Sequence, residues 1–254
     1  MIISLINRSD IATDEEVQSV ARAINRQIEG DFAPYWSFGA RLRLEGAIGT
    51  APDAAVLADM RGDAVLYLWD QPDVADALGY HAANFAGIPY GFVFTKLSSQ
   101  MSEHWSTTLS HEALELLGDP QTNLLASGPH PADRRRHVFH WFEMCDAVQA
   151  ETYLIDGVAV SNFVLPAYFT PGEQEGARND FLGRAYAGVT LRSFGVNPGG
   201  YVGFFDPATG KHDTWSRKDK KAVKRLQLKG KFESGRGVDR RHKFDRAGKP
   251  AAER

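Results

Sequence analysis

The chain has 254 residues, 43 % of them hydrophobic, enough for one sizeable core with or without an appendage. No run approaches the roughly eighteen apolar residues of a membrane helix, and the start, "MIISLINRSD", has none of the basic, apolar and small-residue blocks of a secretory leader, so a soluble, cytoplasmic protein is expected. The net charge of −3 hides a division: residues 217–254 hold 15 of the 29 Lys/Arg and 5 of the 32 Asp/Glu, leaving 14 basic against 27 acidic residues in 1–216.

In chain order, Thr13 and Glu16 form a capping box, and Val17, Val20, Ala21, Ile24 and Ile28 recur at helical spacing, predicting a helix over 14–29 that stops at Gly30. "ARLRLEGAI" alternates like an outer strand, whereas "DAVLYLWD" is a nearly continuous apolar run, as in a strand covered on both faces. "GYHAANFAGIPYGFVFT" reads as two more strands joined at Gly87–Pro89, and helical period returns over 103–117. "LASGPHPADRRRH" reads as a surface loop, Asp156-Gly157 as the turn of a hairpin in "TYLIDGVAVSNFVL", and "PGGYVGFFD" as a last strand. The order predicts an α+β domain with a mixed or antiparallel sheet over 1–216. The basic segment 217–254, poor in large apolar residues, is expected to be disordered or weakly helical.

The chemistry-bearing stretch is "TTLSHEALELLGDP". At 100° per residue, with His111 at zero, Glu115 falls at about 40°, Asp119 at about 80° and Glu112 at about 100°, opposite an arc of Leu109, Ala113, Leu116 and Leu117. A solvated face would explain such an arc. Against that, Glu112, Glu115 and Asp119 crowd like charges on adjacent turns with no Lys or Arg among them, at about a few tenths of a kcal/mol per pair. A cation removes this repulsion. His111 and Glu115, four apart, can aim two donors at one ion and leave Glu112 as base, the logic of H-E-x-x-H with Glu in place of the second His. "WFEMCDAV" adds Glu143 and Asp146 in apolar surroundings, where charged groups pair or coordinate. His137 and His140 read as local or structural, Cys145 as a small buried hydrophobe. Tyr153, Asn162 and Tyr168 are candidates for lining a cleft.

"LSHEALELLGDP", "EMCDAV" and "YLIDGVAVSNFVLPAYF", with "GYH…GIPYGFVF" and "INRQIEGDFAPYW" before them, together resemble a family of uncharacterised zincin-like proteins of bacteria and phages, over nearly all of 1–206. The resemblance implies a zincin-like scaffold with an acidic and histidine site. Gly118 stands where metzincin peptidases carry a glycine, but their next ligand would fall at Gln121. The expected metal ligands are His111 and Glu115 with a third from Asp119, Glu143 or Asp146, and the general base is Glu112. Zinc is the first choice of ion, with calcium or manganese as alternatives, because carboxylates in place of imidazole favour harder ions. A metal-dependent peptidase acting on a peptide or protein is expected, with the strand in "PYGFVFT" offering its edge to the substrate. A non-catalytic protein stabilised by an ion, such as a phage-particle component, is the alternative. The basic tail would contact nucleic acid or an acidic protein.

Overall fold

The computed structural model describes residues 1–49, 52, 53, 56–70, 78–101, 103–172 and 177–217. The predicted disordered segment therefore lies outside the described residues, apart from Arg217. The architecture is mixed α and β, as expected. One sheet runs β2-β1-β3-β5-β4 and comprises β1 (Ile2–Arg8), β2 (Arg41–Glu45), β3 (Ala64–Trp69), β4 (Gly79–Ala83) and β5 (Pro89–Phe94). All neighbours pair in parallel except β4, which pairs antiparallel with β5 and is an edge strand among the described residues.

The apolar run of β3 is explained by cover on both faces. Ala64, Leu66 and Leu68 join one core, while Val65 and Tyr67 join a second with Tyr80, Tyr90, Phe92 and Phe94. Helix α1 (Asp14–Arg26) starts at the predicted capping box, with Thr13 Oγ1 accepting from the Glu16 amide at 3.2 Å and Glu16 Oε2 accepting from the Thr13 amide at 2.8 Å. It does not stop at Gly30, but widens to π-type turns over Gln27–Phe32 and ends in the short α2 (Ala33–Trp36). Two further helices follow, α3 (Thr95–Gln100) and α4 (Trp105–Gly118).

The stretch read as a surface loop, 125–137, instead holds β6 (Leu125–Pro129) and the first residue of β7 (His137–Trp141), with 130–136 between the strands. They belong to a second sheet, β11-β10-β7-β6, completed by β10 (Tyr201–Asp206) and β11 (Lys211–Ser216). Polar residues on β7 conceal its period. Val138 and His140 are buried, while His137 and Phe139 face out. Gly128 is required because a Cβ there would lie 2.5 Å from the Phe194 ring.

His140 Nε2 donates to the Pro129 carbonyl at 2.9 Å, assigning it the structural role expected. Burial pushes this imidazole down to about 4. The unfolded chain, with an ordinary value of about 6.5, binds the proton more readily, so the neutral ring's contribution is complete above that pH and is lost as pH falls through the folded value. In urea titrations, wild type is expected to lose about 2–3 kcal/mol more than His140→Phe between pH 7.5 and 4.5. Equal losses would exclude His140 as a source of acid sensitivity.

The hairpin of β8 (Thr152–Ile155) and β9 (Val158–Ser161) turns at Asp156 and Gly157, with φ of 51° and 81°, the two left-handed residues of a type I′ turn. Its end is tied to the helices by a buried relay. Gln27 Nε2 donates to the Ser161 carbonyl at 2.7 Å, Ser110 Oγ donates to Gln27 Oε1 at 2.6 Å, and the Ser161 amide donates to Ser110 Oγ at 3.0 Å. The relay fixes α4 between β9 and the π-type turns that follow α1. Among the described residues, no helix is long and apolar enough to cross a membrane.

Candidate metal centre

Helix α4 is placed by both ends. His104 Nδ1 accepts from the Ser106 amide at 3.1 Å, capping the start. At the other end the Asp119 amide donates to the Glu115 carbonyl at 2.8 Å. Periodicity predicts a polar arc opposite a core arc, and the structure buries both. From Trp105 to Leu117 every residue but Thr107 is buried. The reading of a solvated face is thereby removed, because the glutamates point into protein.

One side of the helix packs on β4, where Gly79 makes the approach possible. A Cβ at Gly79 would lie 2.8 Å from Thr108 Cγ2, 2.8 Å from the Phe92 carbonyl oxygen and 3.0 Å from Glu112 Cγ. The other side receives the turn after β7, where Glu143 and Asp146 lie, the latter opening a 3₁₀ turn over Asp146–Val148. Gly118 serves this contact, since a Cβ there would lie 2.6 Å from the buried Met144 Sδ. Its role is to admit Met144; its φ is not left-handed.

Three elements thus converge on one buried cluster. His111 Nε2 lies 3.1 Å from Glu115 Oε2 and 3.3 Å from Asp146 Oδ1. His81, from β4, has Nδ1 3.4 Å from Glu112 Oε2 and 3.8 Å from Glu115 Oε2, and Nε2 3.9 Å from Glu143 Oε2. The six side chains are 2–7 % exposed except Glu143, at 14 %. Glu115 Oε1 accepts from the Cys145 amide at 3.2 Å. Burial lowers the proton affinity of His81, but the contact with Glu112 and the charges of Glu143 and Glu115 outweigh it, holding the imidazole above the ordinary histidine value. Burial, with Glu115 second, pushes the Cys145 thiol well up.

Four carboxylates here outnumber two imidazoles, so protonating both rings still leaves a buried negative excess. The donors fit a divalent cation. Ligand atoms at about 2.0–2.1 Å from a tetrahedral zinc lie about 3.3 Å apart, which matches both contacts of His111 Nε2. Donor atoms of His111, Glu115 and Cys145 fall within 4.8 Å of one another, as do those of His81, Glu115 and Glu143. Cys145 completes the donor group of His111 and Glu115, though its thiol must first lose a tightly held proton, whereas Asp146 lies outside that group with its Oδ1 3.3 Å from His111 Nε2.

Of the residues singled out in the sequence, His111, Glu112, Glu115, Glu143 and Asp146 are brought together. Glu112 and Asp146 join through His81 and His111 and not through either donor group, while Asp119 is a loop clamp, its Oδ2 accepting from the Leu124 amide at 2.8 Å. Cys145 is fully buried, as expected, but also stands at donor distance. His81 was missed, although a histidine inside the apolar "GYHAA" was the available signal. Tyr153, Asn162 and Tyr168 are committed elsewhere, to Asp31, to Glu151 and Asp180, and to the Gly195 carbonyl. No known protein family, curated protein or solved structure matches the chain.

Proposed function

We propose that the chain is a metal-dependent peptidase on a zincin-like scaffold, with a divalent cation held by His111, Glu115 and Asp146 and with Glu112 as the general base. The observation that carries this reading is the burial of the His-Glu-x-x-Glu face of α4 against the buried strand β4 and a second acidic turn. Bound there, the cation would polarise a carbonyl and make water easier to deprotonate. Glu112 then takes the proton of the attacking water and passes it to the leaving amine. His81, 3.4 Å from Glu112 Oε2, orients that carboxylate. Zinc suits the imidazole spacing, while the carboxylates keep manganese and calcium as alternatives.

The strand expected to receive substrate, β5, cannot do so, because β3 and β4 occupy both its edges. The edge belongs to β4, which carries His81 and touches α4. An extended peptide or unfolded protein pairing along β4, whose five residues are all buried, would first have to displace what covers that edge.

The test is incubation of the full chain with an unstructured protein substrate. Cleavage that stops with a chelator and returns with zinc or manganese is the expected result. Inertness under every divalent ion would favour a second reading, that of a structural ion joining β4, α4 and the 143–146 turn. The burial of the donors favours that reading, and in it the protein is an interaction partner, such as a phage-particle component, whose basic tail contacts nucleic acid or an acidic protein.

A further inference from the structure

A single ion leaves much of the cluster unexplained. With both imidazoles neutral and ligating, one divalent cation offsets only half the charge of Glu112, Glu115, Glu143 and Asp146, all of them buried or nearly so. It also leaves His81 and Glu143, which form a second donor group with Glu115, outside its coordination. We infer that the site holds two divalent cations about 3.5–4 Å apart, bridged by Glu115 Oε2. This rests on the metal reading above and extends it.

The geometry divides the donors into two sets that share one residue. One set is His111, Glu115 and Cys145, with Asp146 Oδ1 3.3 Å from His111 Nε2; the other is His81, Glu115 and Glu143. The two imidazoles come from different elements, α4 and β4, yet both address the same oxygen, His111 Nε2 at 3.1 Å and His81 Nδ1 at 3.8 Å. The second oxygen of Glu115 is occupied by the Cys145 amide. A carboxylate with one oxygen fixed by a backbone donor and the other set between two imidazoles has the disposition of a single-atom bridge. Donors on one ion at about 2.0–2.2 Å are separated by about 3–4.3 Å, depending on the angle between them. The second set approaches this, its donor atoms lying within 4.8 Å of one another and His81 Nδ1 3.8 Å from Glu115 Oε2. Two divalent ions also balance four carboxylates. Glu112 is outside both sets of three and stays available as a base.

The two positions differ in character. The first pairs an imidazole with a carboxylate beside a thiol, which suits zinc; the second pairs one imidazole with two carboxylates, and one of them, Glu143, is the most solvent-accessible donor. The second position should therefore take harder ions and exchange them faster.

The experiment uses the full chain stripped with chelator and dialysed to equilibrium against manganese, with bound metal counted and its electron paramagnetic resonance recorded. The expected result is two ions per chain and the spectrum of a spin-coupled pair. His81→Ala is expected to retain one ion and give the hyperfine pattern of an isolated one. If that variant does not fold, as judged by circular dichroism, the wild-type spectrum decides alone. One ion in wild type, or two with isolated-ion spectra, overturns the shared bridge while leaving the single-ion reading standing. No bound ion with manganese or zinc removes both.

Discussion

Adding zinc to the chelator-stripped chain at about a thousand times its Kd is expected to raise Tm by about 8–16 °C. Ligand that binds only the folded state stabilises it by about 4 kcal/mol at that excess. In a domain of this size each kcal/mol corresponds to about 2–4 °C. The effect is large because the site clamps three parts of the chain distant in sequence: β4 through His81, α4 through His111 and Glu115, and the turn after β7 through Glu143 and Asp146. Without the cation, the same clamp forces carboxylates together in a buried space, so the stripped protein should open first where Glu143 and Asp146 meet α4. Glu115→Gln removes the charge shared by both donor groups and is expected to abolish most of the shift. A Tm that ignores zinc, manganese and calcium would show that the carboxylates are neutralised by protons instead.

Glu112→Gln is expected to lower substrate cleavage by about a hundred- to ten-thousand-fold, the range for loss of a positioned general base. The amide preserves the length and volume of the side chain against Gly79 and His81 but cannot accept the proton. Metal content and Tm should remain close to wild type, because Glu112 belongs to neither donor group within 4.8 Å. The contrast with Glu115→Gln is the informative part, as that change should remove metal and activity together. Cleavage by Glu112→Gln at the wild-type rate would move the base elsewhere or remove the peptidase reading.

Much of the fold was legible because local chemistry agreed with tertiary context. The capping box at Thr13 and Glu16, the Asp156-Gly157 turn and the apolar run of β3 each have a local cause that survives in the structure. The failures have causes too. β1 is a short run whose membership in the sheet depends on parallel neighbours far along the chain, and parallel pairing leaves no turn signal. β6 and β7 carry Gly, Pro and His at positions where Phe194 and the Pro129 carbonyl supply the compensation, which no window of sequence shows.

The site was legible in part for the same reason. His111, Glu112 and Glu115 lie on one helix, where spacing alone sets their mutual geometry. Glu143 and Asp146 betrayed themselves as charges among apolar neighbours. Asp119 shared the helical arc on paper, but the helix ends at Gly118 and the carboxylate turns to the Leu124 amide. His81 arrives by strand pairing across β5, a long-range event with no signature in "GYHAA" beyond one polar residue.

The most direct measurement is the metal content of the full chain purified without chelator, by mass spectrometry, alongside Glu115→Ala. At least one divalent ion per wild-type chain is expected, zinc or manganese foremost, with loss of that ion in the variant. Wild type that carries no divalent ion, and takes up none on dialysis against zinc, manganese or calcium, would contradict the metal reading.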